Sequence, residues 1–126
     1  MINNATIYKE IVSIMSEPTL LWENPNPNTF INALTVELDG SGCDGYIIES
    51  TYSNKTTSGL KAYNMVFMGE TTALRCGATV AGIASGRGVG NVTENSISFS
   101  KGYDTTGNVA NTLCIPLRIW GFKFTL

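Results

Sequence analysis

Ser96-Ile97-Ser98-Phe99-Ser100-Lys101-Gly102-Tyr103, followed after a polar loop by Ile115-Pro116-Leu117-Arg118-Ile119-Trp120-Gly121-Phe122-Lys123-Phe124, decides the fold class of this chain. In the first stretch Ile97 and Phe99 alternate with serines, the period-two signature of a strand with one face in a core. In the second, Ile115, Leu117 and Ile119 fall on one face. Trp120, Phe122 and Phe124 fall on the other, beside Arg118. Pro116 has no amide proton, which restricts it to a strand start, an edge or a bulge. A solvent-facing ladder of Trp, Phe and Phe would be an exposed apolar patch. That face therefore calls for a cover, from the N-terminal segment or from another subunit.

Similar segments recur upstream. Thr19 to Trp22 reads as a short strand, and Asn24-Pro25-Asn26-Pro27-Asn28 as a rigid loop, because each proline removes a donor and extends its predecessor. Leu34, Val36 and Leu38 alternate with Thr35 and Glu37. Asp39 to Gly42 turns the chain, and Asp44 to Tyr52 forms the next strand. Leu60 to Met68 puts Tyr63, Met65 and Phe67 on one side and Val66 and Met68 on the other. A further strand carries Leu74, Cys76, Ala78 and Val80 inward, with Arg75 and Thr79 outward. Gly82 to Asn95 is glycine-rich and reads as a flexible tip loop bearing Arg87; Asp104 to Asn111 reads as a second loop. Short strands at roughly 8–12-residue spacing, with no βαβ rhythm, predict an all-β, antiparallel β-sandwich of jelly-roll-like type.

Residues 4–15 are the one helical candidate, capped by Asn4 and ended at Glu17-Pro18. Ile7, Ile11 and Ile14 have the spacing of core positions in a multi-stranded coiled coil, and equally of a short helix or strand packed on its own domain. The expected organisation is a short N-terminal helix or attachment segment over 1–18 and a sandwich over 19–126.

Composition narrows the function. The chain has 126 residues, a net charge of −2 and 14% charged residues, with no basic stripe for phosphates, so no nucleic-acid partner is expected. It has no histidine, which removes the commonest general base and metal ligand. Cys43, Cys76 and Cys114 read as small buried hydrophobes, or as one disulfide with a thiol left over. No apolar run approaches ~18 residues, so no membrane insertion is expected. Met1 to Asn4 lacks the basic start of a signal peptide, which points to synthesis in a cytoplasm.

The order of the segments resembles a known family. Leu20-Leu21-Trp22-Glu23-Asn24-Pro25-Asn26-Pro27 resembles the opening of small β-domains in tail and tail-fibre proteins of phages and prophages from Gram-positive gut bacteria. Leu34 to Leu38, Asp44-Gly45-Tyr46-Ile47-Ile48-Glu49, Ser98 to Tyr103, and the closing Ile115, Pro116, Ile119, Gly121, Phe122 and Lys123 follow in the family's order, over roughly residues 20–124. The resemblance implies a virion surface component on a phage tail, trimeric and near the host receptor. It supplies no binding residues.

Candidate chemistry comes from the residues themselves. Asp39 to Gly45 hints at a calcium loop but has Ser50 where the twelfth-position glutamate would stand, so it reads as a tight hairpin. Gly82 to Gly90 lacks the Gly-Lys-Ser/Thr of a phosphate loop. No cofactor or metal is expected. Arg87 could fork onto an anionic sugar or carboxylate, and Tyr103, Asp104 and Asn108 could stack on and hydrogen-bond a pyranose. Trp120, Phe122 and Phe124, with Ile7, Ile11 and Ile14, are the candidate oligomer interface. No carboxylate pair has a glycosidase signature, and no serine has a histidine to activate it, so no enzyme activity is expected. The first reading is a receptor-binding tail tip that recognises a host surface polysaccharide. The alternative is a tail or baseplate assembly component that contacts other tail proteins, with a depolymerase a distant third.

Overall fold

The structure, a computed structural model, describes residues 15–27, 32–51, 61–69, 74–80, 83–104, 106–109 and 113–125. Eight strands follow in chain order: β1 (Thr19–Glu23), β2 (Leu34–Glu37), β3 (Gly45–Thr51), β4 (Lys61–Phe67), β5 (Leu74–Val80), β6 (Ile83–Gly90), β7 (Ser96–Asp104) and β8 (Pro116–Phe122). They form two four-stranded antiparallel sheets, ordered β1-β8-β3-β4 and β2-β7-β6-β5. One apolar cluster draws on both sheets: Val36, Val89, Ile97 and Phe99 from one, Tyr46, Ile48, Val66 and Ile119 from the other. The alternation of polar and apolar residues places those side chains inward.

The outer strand pairs, β1 with β8 and β2 with β7, are long-range, as in a jelly roll. The inner strands depart from that scheme. β3 pairs with β4, and β5 with β6, as sequence neighbours. Residues 4–14 of the expected helix, with Ile7, Ile11 and Ile14, lie outside the described residues. Met15, placed at the end of that helix by the sequence reading, instead bridges Phe124 in antiparallel fashion. The glycine-rich stretch is also corrected. Residues 83–90 are strand β6, between β5 and β7, not a loop. Two sheet neighbours supply the backbone hydrogen bonds that a glycine-rich segment cannot secure by propensity alone.

β8 is central, and Pro116 is accommodated at its start. Ser50 pairs with Pro116 while Glu49 pairs with Arg118, so Leu117 is the extra residue of a bulge. Asn24 then ties the Asn-Pro-Asn-Pro segment to this point. Its backbone N–H donates to the Leu117 carbonyl at 2.8 Å, and its side-chain amide donates to the Pro116 carbonyl at 2.9 Å. The two ends of the family-like motif order thus lie side by side.

Tyr46 joins the sheets. It is fully buried, and its phenol donates to the Thr93 carbonyl between β6 and β7 at 2.6 Å. Gly40 makes room for it, since a Cβ there would sit 2.0 Å from the phenol oxygen. Burial, then the nearby Cys43, Glu94 and Asp39, push the phenol up to about 12 from 10.0. The folded state therefore holds the proton more tightly than the unfolded chain. This stability is complete below pH 10 and is lost as pH rises toward 12. Tyr46→Phe should cost about 1–2 kcal/mol in urea unfolding at neutral pH. It should also flatten the alkaline limb of the stability curve; an unchanged limb would rule out Tyr46 as its source.

Candidate functional site

The outer face of the β1-β8-β3-β4 sheet carries most of the exposed large apolar side chains among the described residues. Leu20, Tyr63, Met65, Phe67 and Phe124 are 38–59% exposed. They are five of the six exposed large hydrophobic residues among the described residues; Val109 is the other. Register explains the grouping. Leu20, Trp120, Ile47 and Met65 form one row across the four strands. A bulge at Leu21 lets Leu20 face out while Leu21 and Trp22 pack toward the core.

The next row is polar: Glu23, Arg118, Glu49 and Tyr63. Glu49 is 1% exposed although it faces outward, because its neighbours close over it. Arg118 grips it with two bonds, Nε to Oε1 at 2.8 Å and an Nη2 bond to Oε2 at 3.0 Å. The Tyr63 hydroxyl donates to Oε2. Arg118 also lies 5.1 Å over the Trp120 ring, and Tyr63 lies 6.4 Å from it. Burial alone would raise the Glu49 carboxyl. The hydrogen bonds from Arg118 and Tyr63, with the charges of Arg118 and Lys61, outweigh it and hold the carboxyl below its usual value.

The third row is aromatic. Phe122 and Phe67 both face Gly45. A Cβ on Gly45 would meet the Val66 carbonyl at 2.2 Å and the Phe122 ring at 2.8 Å, so glycine lets that ring lie on the sheet. Phe67 and Phe124 complete the cluster, stacked at 6.3 Å and each edge-on to Phe122. This corrects the expectation for Phe122: its own chain buries it completely. Trp120 is half-buried and Phe124 remains 38% exposed.

Two clefts flank the polar row. One, of about 200 Å³, is lined by Glu23, Asn24, Pro27, Glu49, Lys61, Leu117 and Arg118. The other, of about 300 Å³, is lined by Glu17, Pro18, Ile47, Tyr63 and Trp120.

The sugar-reading residues expected from sequence lie elsewhere. Arg87 is 1% exposed on β6, not at a loop tip. Its guanidinium donates to the carbonyls of Cys114 at 2.8 Å, Ser100 at 3.1 Å, and Asn32 and Leu113 at 3.4 Å. It ties β6 to β7 and to the approaches of β2 and β8. Asp104, the last residue of β7, and Asn108 come together in the turn that follows, while Tyr103 pairs with Val109 across it. There the Asp104 carboxylate accepts from the Thr106 hydroxyl and from the backbone of Thr106 and Asn108, which holds its carboxyl low. Asp39 likewise caps its own turn at Ser41. Cys114 is buried and Cys43 half-buried. No group of three His, Cys, Asp or Glu able to hold a metal occurs among the described residues, and none of their helices is long and apolar enough to cross a membrane.

Asn24, Glu49 and Tyr63 were missed as site residues. The Asn-Pro pairs flagged Asn24 locally, but the partners of Glu49 are 14 and 69 residues away. Comparison with family models, curated proteins and solved structures found no match for this chain.

Arg87→Met should destabilise by about 3 kcal/mol or more, since several buried carbonyls lose a charged donor. Chemical denaturation checks this, and a change below 1 kcal/mol (about the size of a surface substitution) would contradict the buried placement. For Glu49, the lowered folded value means its stabilisation is present above the ordinary 4.5 and fades as pH falls through the lower folded value. Glu49→Gln should lower the melting temperature near pH 7 and flatten its fall below pH 4.5.

Proposed function

We propose that the protein is a non-catalytic component of a phage tail or fibre tip, whose open β1-β8-β3-β4 face holds a host cell-surface polysaccharide. One observation carries the reading: exposed aromatic and apolar side chains are concentrated on a single sheet face, around a fixed Arg118–Glu49–Tyr63 network. Aromatic rings offer flat apolar surface to the C–H face of a sugar, and polar groups fixed beside them meet its hydroxyls. The ladder hydrogen bonds of the sheet hold these groups in place, so little ordering entropy is lost on binding. The motif order that resembles phage tail-tip domains supports the virion setting.

A glycosidase acid needs a raised carboxyl, and Glu49 is held below its ordinary value.

Assembly into a homotrimer, and onto other tail proteins, is the second element of the reading. The Phe67–Phe122–Phe124 cluster favours it, because its exposed edges are apolar and carry no hydrogen-bonding group to read a sugar. Three weak sites on one tip would then gain avidity through geometry.

Cosedimentation with cell-wall polysaccharide from Gram-positive hosts is the direct test. The wild type should sediment with the wall fraction. Trp120→Ala, confirmed folded by circular dichroism, should bind about tenfold more weakly, as loss of one stacking contact predicts. Absence of wild-type binding across hosts would leave the assembly role alone. Light scattering that finds a monomer at high concentration would remove the trimer.

A further inference from the structure

The two clefts beside the polar row share a wall. Glu49 and Arg118 line the first; Tyr63 and Trp120 line the second. The Tyr63 hydroxyl donates to Glu49, and the Arg118 guanidinium lies over Trp120, so these four side chains form the partition. The rows that carry Arg118 and Trp120 are two residues apart on β8, about 7 Å along the strand. The clefts are thus adjacent stations on one face, each with room for a group about the size of one sugar ring.

Charge defines what they admit. Glu23 and Glu49 in the first cleft are balanced by Lys61 and Arg118. Among the described residues the second adds Glu17 and no cation. Together the described lining residues carry three carboxylates against two cations, a net charge of −1. Arg118 spends its Nε and one Nη2 hydrogen on Glu49, so its charge is already balanced by that buried carboxylate before any ligand arrives. An anionic ligand would meet the exposed carboxylate of Glu17 in the aromatic cleft, and like-charge contact is a source of discrimination. A hydroxyl-rich ligand meets usable partners instead: carboxylate oxygens to accept and the Lys61 ammonium to donate.

From this we infer that the paired clefts form a two-station site for a neutral saccharide of at least two rings, with one ring beside Trp120 and Tyr63 and its neighbour between Pro27 and Lys61. The inference rests on the polysaccharide-binding reading above, and it adds the ligand's charge class and minimum length.

Calorimetry on the full chain tests it with defined probes: neutral gluco- and galacto-oligosaccharides from mono- to tetrasaccharide, oligogalacturonides of matched length, and glycerol-phosphate oligomers. A neutral disaccharide should bind at least about tenfold more tightly than its monosaccharide. Its affinity should change less than about twofold between roughly 0.05 and 0.5 M salt, because no net ion pairing is involved. Lys61→Gln and Glu17→Gln, both exposed positions, should each weaken the disaccharide by about three- to tenfold. Tighter binding of an anionic probe, a steep salt dependence, equal affinity for mono- and disaccharide, or indifference to both substitutions would overturn the two-station site. Wall polysaccharide binding that persists alongside any of those results would leave the proposed function standing. Failure of both the wall fraction and every defined probe would end both.

Discussion

The position of β8 between β1 and β3 is the constraint on which the rest depends. A central strand must satisfy backbone donors and acceptors on both edges and place side chains on both faces. Ile119 fills the core, Arg118 and Trp120 build the outer face, and Phe122 lies over Gly45. A proline at the start of such a strand leaves one donor missing. The bulge at Leu117 and the amide of Asn24 meet that local irregularity, and together they bring the Asn-Pro segment against the open sheet face. The first cleft exists because of this arrangement, since Asn24 and Pro27 form its wall opposite Lys61.

The outer face puts charged groups to two different uses. Arg118 and Glu49 neutralise each other in a bidentate pair, and the same guanidinium fixes the indole plane of Trp120. An exposed ion pair contributes little to stability. Here the carboxylate is covered, and its loss would leave Arg118 and Tyr63 without their acceptor. The pair is better understood as a positioning device than as a stability device. It keeps aromatic groups in fixed orientations on a surface that would otherwise be a collection of mobile side chains.

Much of the fold was legible in the sequence because its signals are local. Period-two alternation marked β2, β7 and β8 directly, and correctly divided Tyr63, Met65 and Phe67 from Val66 on β4. The division of β8 into a core face and an aromatic face was also readable. What failed were features decided by distant partners. Glycines at 86, 88 and 90 imitate a loop, and only β5 and β7 on either side make them a strand. Arg87 looked like a solvent-facing ligand group because nothing nearby in sequence announces the carbonyls of Cys114 and Leu113. Glu49 closed the Asp44-to-Glu49 motif of the resemblance but carried no binding signature, because its partners lie on other strands. Asp104 and Asn108 share a turn, but turn-forming and sugar-reading residues are the same types, and here the turn takes the acceptors.

The mixture of hairpins and long-range pairs also imposes an order in time. β3–β4 and β5–β6 can zip as soon as they leave the ribosome, since their partners are adjacent in the chain. β1 and β2 have no such neighbour and must wait for β8 and β7, which are made last. Until then β3 has one unpaired edge, and the half-built sheets expose both backbone and core side chains. Such a topology folds slowly and is vulnerable to association while incomplete. The interval before β8 docks is when misassembly competes most strongly with folding.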